Sequence, residues 1–388
     1  MKKILALAMA GAMALSLVAC GGSKAEEKPA DEQPEQTEQP AEETGVDFNL
    51  AMITDYGDIT DQSFNQTTYE ACKAYSDANG VKFNYFKPGG DSTAERVAMV
   101  EAAVDEGYNV IVMPGYAFGE TIAQVADEFS DVTFIALDVS QGDLGDFVLP
   151  ENVFCAVYQE ELCGYMAGYA AVKLGYTKLG FLGGMAVPAV IRYGFGFVQG
   201  ADAAAKELDT KIEINYVYGG QFSGDADITA KMDTWYNAGT EVVFACGGGI
   251  FTSAAEAAQK VNAKVIGVDN DQKGIIDGGY GEGMTVTSAM KGLAATVNTM
   301  LTEVFAGNWD NYGGKIDTLG LVSDNPTENY VQIPMESTQW ADGKFTQDDY
   351  KALVASMHKG DVKVSNDTTA MPAVDAAHTT VSDQGSIK

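Results

Sequence analysis

Histidine is almost missing from this chain. Of 388 residues only His358 and His378 are histidines, and both come late. No Ser-His-Asp or Cys-His set can be assembled around a central site, which removes the common forms of nucleophilic catalysis. Cysteine is scarce as well, with five in all. Cys72, Cys155, Cys163 and Cys246 have no CxxC spacing, which argues for buried thiols and against zinc. Cys155 and Cys163 could pair in an oxidising compartment, and the sequence leaves that open. Basic residues are few: 24 Lys and Arg stand against 55 Asp and Glu, a net charge of -31. Such a surface cannot neutralise phosphates in number, so no nucleic acid partner is expected. No GxxxxGK[ST] loop occurs. Beyond the first residues, no apolar run is long enough to cross a bilayer.

The N-terminus reads as a targeting segment. Met1, Lys2 and Lys3 form a positive start, and residues 4–18 are apolar but too short for a flanked span. The run ends Leu17-Val18-Ala19-Cys20-Gly21, which resembles a bacterial lipobox. Residues 1–19 are then a signal peptide, and Cys20 carries the lipid as the first mature residue. Residues 20–46 are rich in Glu, Gln, Pro and Ala. They lack the apolar surface to offset conformational entropy, so they are expected to form a disordered, lipid-anchored tether.

From residue 47 onward, strand and helix patterns alternate. Apolar runs at 50–53, 83–86, 110–113 and 132–137 alternate with helical periods at 63–78, 93–106 and 118–129. Residues 152–158 read as a crossing strand. The alternation then restarts, with strands at 179–182, 212–218, 242–245 and 265–268 and helices at 161–174, 188–207, 226–237 and 253–261. This is the pattern of parallel sheets with crossover helices. Two arrays of similar length imply an α/β chain of two doubly wound, Rossmann-like lobes joined by a hinge. Residues 47–153 with 276–325 are assigned to lobe 1 and 154–275 with 326–366 to lobe 2. Residues 284–288, 292–306 and 316–321 are taken to return to the first lobe. A helix is expected at 346–358, a short strand at 361–364, and a loose tail at 367–388.

Several motifs have plain readings. Gly194-Phe-Gly196 with Gly200 looks like a dinucleotide loop but lies inside a helical pattern, so close helix packing is expected. Asp269-Asn270-Asp271-Gln272-Lys273-Gly274 begins like an EF-hand loop. Lys273 takes a ligand place and Tyr280 stands where a bidentate Glu should be, which disfavours calcium. No cofactor or metal is expected. Asp58 and Asp61 suit loop and helix-cap roles.

What remains is a set of polar and aromatic residues at strand ends: Asp55, Phe64, Asn65, Asp138, Phe222, Gly248, Asp269 and Lys291. In open α/β sheets the crevice beyond the strand ends is where ligands bind.

The stretch ITDYGDITDQSFNQ, residues 53–66, resembles the opening motif of the basic membrane protein family, lipid-anchored receptors of the purine nucleoside type. Gln159-Glu160-Glu161 through Gly168, Gly183-Gly184-Met185 with Pro188, the block Gly267-Val268-Asp269-Asn270-Asp271-Gln272, and Thr287-Ser288-Ala289-Met290-Lys291 are similar to further family blocks. The resemblance implies a type I periplasmic binding protein fold and a solute-binding protein of an ABC importer, with no enzymatic activity. It implies that Phe64 and Phe222 sandwich a purine base, one from each lobe. Asp55 and Asp138 would meet donors on the base or sugar, and Asp269 would accept from ribose hydroxyls. Lys291 would offset the buried charge, and backbone at Gly248 would approach the ligand. The implied partners are a purine nucleoside (inosine, guanosine or adenosine class), ABC permease subunits, and the membrane through the lipid on Cys20. The place is the extracytoplasmic face of the cell membrane, and the chain is expected to act as a monomer. Two alternatives stay open: a sugar or other small polyhydroxylated ligand, and a nucleoside hydrolase built on Asp55, Asp58 and Asp61.

Overall fold

A computed structural model describes residues 48–387. The signal peptide, Cys20 and the tether lie outside the described residues.

The first lobe is laid down as β1 (Asn49–Ile53), α1 (Phe64–Asn79), β2 (Lys82–Phe86), α2 (Thr93–Asp105), β3 (Val110–Pro114), α3 (Gly119–Val125), β4 (Thr133–Leu137), α4 (Gln141–Leu144) and β5 (Val153–Tyr158). The second follows as α5 (Glu160–Leu174), β6 (Lys178–Gly183), α6 (Pro188–Glu207), β7 (Ile212–Tyr218), α7 (Ala226–Asn237), β8 (Val242–Cys246), α8 (Phe251–Val261), β9 (Lys264–Asp269), α9 (Lys273–Tyr280) and β10 (Thr285–Lys291). The chain returns for α10 (Leu293–Phe305) and β11 (Lys315–Leu319), then crosses once more for β12 (Val331–Gln332), α11 (Gln347–His358) and β13 (Thr379–Ser386).

The first sheet runs β11-β5-β4-β3-β1-β2 and the second β12-β10-β9-β8-β6-β7-β13. All pairings are parallel except β10 with β12. Crossover helices cover both faces, so both sets of alternating side chains are buried. Leu50, Met52, Val110 and Val112 enter one core, and Ala51, Ile53, Ile111 and Met113 enter the other. Each sheet has a topological switch point, between β1 and β3 in the first and between β6 and β8 in the second.

Local chemistry sets the helix ends. Ser92 caps α2 by accepting from the Glu95 N–H, and Asp225 caps α7 through the Asp227 and Ile228 N–H groups. Thr346 and Asp349 form a capping box on α11. Gly80 ends α1 and Gly175 ends α5, both in the left-handed region.

Helices α5 and α6 pack backbone to backbone. A Cβ at Gly164, Gly168, Gly196 or Gly200 would lie 2.0–2.2 Å from a carbonyl oxygen of the facing helix. The Gly194–Gly200 run is therefore a helix contact and not a phosphate loop. Cys72, Cys155, Cys163 and Cys246 are buried free thiols, so Cys155 and Cys163 are unpaired.

Five sequence expectations are corrected. β5 belongs to the first sheet throughout, so the chain crosses after Tyr158 and not at residue 153. β10 pairs with β9 in the second sheet, so the return comes after Lys291 and not at residue 276. An apolar run carries no mark of which sheet receives it, and both boundaries were open to that error. The segment at 361–364 is not a strand, and residues 118–129 form only the shorter α3. The tail at 367–388 is not loose over its length: β13 adds to the edge of the second sheet beside β7. Its sequence, TTVSDQGS, is polar because an edge strand buries little, so periodicity could not reveal it.

Candidate ligand-binding site

The carboxyl ends of the strands from both sheets face one cleft of about 510 Å³. All eight residues singled out in the sequence line it: Asp55, Phe64, Asn65, Asp138, Phe222, Gly248, Asp269 and Lys291.

The loop after β1 folds around Asp55. Its Oδ1 accepts from the N–H of Tyr56 at 2.6 Å, the N–H of Gly57 at 2.7 Å and Nδ2 of Asn65 at 3.1 Å. Burial raises the Asp55 pKa, opposed by those donors. Arg96 donates from behind to the Asp55 carbonyl. Asp61 satisfies the open end of α1, accepting from the N–H groups of Ser63, Asn65 and Gln66. Asp58 also lines the cleft and is held in an ion pair with Lys87 at 2.8 Å. The three carboxylates of the hydrolase alternative thus have separate structural tasks. Among the described residues no group of three His, Cys, Asp or Glu could hold a metal ion.

Phe64 opens α1 in the first lobe, and Phe222 sits in the β7–α7 loop of the second. Both are half-buried. Glycines hold Phe222 in place: a Cβ at Gly184 or Gly247 would lie 2.4 or 2.7 Å from its ring. Gly248, at φ +52, turns its would-be Cβ toward the Phe222 carbonyl at 2.7 Å. Gly248 therefore permits the close approach of the Phe222 loop, a task the sequence reading did not assign to it.

Asp138 and Asp269 end β4 and β9 with φ of 61° and 65°. A non-glycine residue there is strained, and such strain concentrates at functional sites. Lys291, at the end of β10, is the hub between them. Its Nζ lies 2.5 Å from Asp138, 3.3 Å from Glu160 and 3.9 Å from Asp269. The Phe64, Tyr158 and Tyr193 rings surround it, with centroids 4.9, 5.4 and 5.5 Å away. Burial opposes its charge, but the carboxylates outweigh burial and its pKa rises, so the ammonium stays charged. Burial in turn raises the Asp269 and Glu160 carboxyls, with Lys291 working against it.

The sequence reading missed Glu160, Arg192, Tyr193 and Ser63. Glu160 is fully buried, and its Oε2 receives Nε of Arg192 at 2.6 Å. Tyr193 donates its hydroxyl to Asp269 at 3.2 Å, and Ser63 donates to the other Asp269 oxygen at 2.5 Å. Two more bonds join the lobes beside this one: Asn270 Nδ2 to Thr67 Oγ1 at 2.9 Å, and Gln272 Nε2 to the Gln62 carbonyl at 3.0 Å. The one available signal was an arginine in the otherwise apolar first half of α6. The close α5–α6 packing is what carries Glu160 and Arg192 to each other. Two buried acceptor atoms on the cleft have no protein partner, Oδ1 of Asp138 and Oδ1 of Asn65. Buried polar atoms are normally paired, so these await donors from a ligand or water.

The run that begins like an EF-hand loop, residues 269–274, is the turn from β9 into α9. There Asp271 accepts from the Lys273 N–H, as in an ordinary turn.

Residues 48–352 match the model of the Bmp family, described as ABC transporter substrate-binding protein PnrA-like. The chain is 26% identical to the ABC transporter nucleoside-binding protein BmpA of Lactococcus lactis, over 78% of this chain and 89% of that one. It is 28% identical to basic membrane protein B of Borreliella burgdorferi, over 72% and 80%. In fold it is similar to an ABC transporter solute-binding protein from Aeropyrum pernix, with a TM-score of 0.64 at 21% identity over 83% of this chain and 88% of that one. A solute-binding protein from Conexibacter woesei gives the same score at 22% identity, over 82% and 99%. The match over 48–352 takes in every residue of the cleft, the whole first sheet and the second sheet apart from its edge strand β13: the chain belongs to the Bmp family of PnrA-like ABC transporter substrate-binding proteins.

Proposed function

We propose that this substrate-binding protein captures purine nucleosides in the cleft and hands them to the permease of an ABC importer. As a substrate-binding protein of a transporter it is not an enzyme. The observation that carries the nucleoside reading is the pair Phe64 and Phe222, which reach one cleft of about 510 Å³ from different lobes. A flat base stacks on such rings at roughly 1–3 kcal/mol per contact. Around them stand acceptors suited to hydroxyl and N–H donors: Asp55, the free oxygens of Asp138 and Asn65, and Asp269. The nucleoside-binding name of the Lactococcus lactis relative points the same way.

Asp269 and Lys291 take the sugar in this reading, and Asp55 and Asn65 the base edge. The lobes close on the ligand by hinge motion, and the closed form docks on the permease by its outer surfaces. Lipid on Cys20 holds the chain at the extracytoplasmic face of the membrane. A lipoprotein of Pyrococcus horikoshii, 26% identical over 83% of this chain, supports that placement.

A thermal-shift screen of nucleosides, free bases and sugars tests the proposal. A purine nucleoside at about 100 times its Kd should stabilise the fold by roughly 2.7 kcal/mol. A shift with sugars alone would favour the polyhydroxylated-ligand alternative.

A further inference from the structure

The two cations of the cleft are not equivalent. Lys291 is 3% exposed in its side chain and is engaged by Asp138, Glu160 and Asp269. Two of its three donors are engaged, by Asp138 and Glu160. Arg192 has a different arrangement. Glu160 holds Nε, and the side chain retains 19% exposure at the cleft wall. Neither terminal nitrogen, Nη1 or Nη2, has a hydrogen-bond partner among the described residues, and neither is a buried atom. A guanidinium is a rigid planar fork. With Nε pinned by a buried carboxylate, the direction of the remaining donors is fixed before any ligand arrives.

Glu160 also fixes which end of the ligand Arg192 can meet. Its two carboxylate oxygens hold Lys291 and Arg192 at 3.3 and 2.6 Å, so both cations sit at the same end of the cleft as Asp269. That is the end assigned above to the sugar. The formal charges there are three carboxylates, Asp138, Glu160 and Asp269, against two cations. The surplus is negative by one, so an oxygen acceptor without charge is favoured over a phosphate.

We propose that Arg192 is a specificity-determining residue, whose terminal nitrogens donate to the 5′-hydroxyl oxygen of an unphosphorylated nucleoside. This rests on the nucleoside reading of the cleft. Glu160 is then a positioning residue that acts through Arg192 and Lys291.

Calorimetry on the intact protein tests this with inosine, 5′-deoxyinosine and inosine 5′-monophosphate. For the unaltered protein inosine should bind tightest. Arg192→Gln should weaken inosine by about 10- to 100-fold, the worth of a hydrogen bond to a charged donor, and leave 5′-deoxyinosine within about 3-fold. Arg192→Lys keeps the charge but cannot serve Glu160 and the ligand with one fork, so it should lose inosine affinity to a smaller degree. Melting curves of both variants report whether the fold is intact, and Arg192→Lys serves if Arg192→Gln does not fold. Equal losses for inosine and 5′-deoxyinosine, or a loss for neither, would overturn the role of Arg192 while leaving the nucleoside reading in place. An unaltered protein that binds no purine nucleoside would overturn that reading and this inference with it. Tighter binding of the monophosphate than of inosine would show that the ligand is a nucleotide and reject the 5′-hydroxyl assignment.

Discussion

Ser63 and Asp269 meet across the cleft, with the serine hydroxyl 2.5 Å from the carboxylate and 206 positions away in sequence. One belongs to the turn before α1 and the other to the end of β9. The bond exists only when the lobes are together, so it biases the closed state. Removing it should favour opening. Ser63→Ala is expected to raise the dissociation rate of bound nucleoside by about 10-fold or more, as a lost hydrogen bond to a charged group would. Stopped-flow displacement measures it, and an unchanged rate would remove Ser63 from the closure.

The aromatic pair makes a second prediction. Phe64→Ala and Phe222→Ala should each weaken purine nucleoside binding by roughly 5- to 150-fold, the range of one lost base–aromatic stack. Calorimetry with the double variant should show binding close to undetectable. Undiminished affinity would reject stacking as the mode of recognition.

The α5–α6 contact predicts stability. Gly168→Ala would press a methyl group into the Phe197 carbonyl, 2.1 Å from the new carbon, and Gly200→Ala would do the same at Tyr165. Backbone cannot yield as a side chain can, so each should cost about 1–3 kcal/mol or more. Urea melts measure it. The same shift would separate Glu160 from Arg192, so nucleoside affinity should fall together with stability.

The edge strand β13 carries a pH response. His378 lies between Asp209 at 3.1 Å and Asp375 at 3.2 Å, and its carbonyl accepts from the Ile212 N–H. Bonding to Asp209 and Asp375 raises its pKa above the ordinary value. A histidine raised on folding adds stability that is full below about pH 6.5 and disappears as pH climbs through the raised value. Hydrogen exchange of the β13 amides should therefore quicken above neutral pH, beyond the intrinsic pH effect. His378→Gln should remove that excess. The carboxylate of Asp375 has the opposite sign: its pKa is lowered, so its part is lost only under strong acid.

The residues that bring the cleft together could be read from the sequence because each stands at a break in a pattern. Asp55, Asp138 and Asp269 end apolar runs, and Phe64 is an aromatic where a loop turns into a helix. Such breaks are local. Arg192 and Glu160 were not legible as a pair, because Arg192 lies inside a helical pattern and Glu160 opens α5, where an acid is ordinary. Their meaning depends on two glycine-faced helices touching, and that is a contact across 32 positions. The lobe boundaries failed for a related reason. β5 and β10 have the composition of interior strands in either sheet, and only pairing decides where each belongs.

The chain passes between its halves at three places: Tyr158 to Glu160, Lys291 to Leu293, and from Leu319 to Val331. A single link would let the halves swivel freely. Three side by side restrict them to something close to a door on its hinge pins. Lys291 and Glu160 stand at two of those pins, where travel on opening is smallest. Phe222 and Asn270 stand farther along the chain from any pin. On the proposed hinge motion Lys291 and Glu160 would therefore shift least between the open and closed forms.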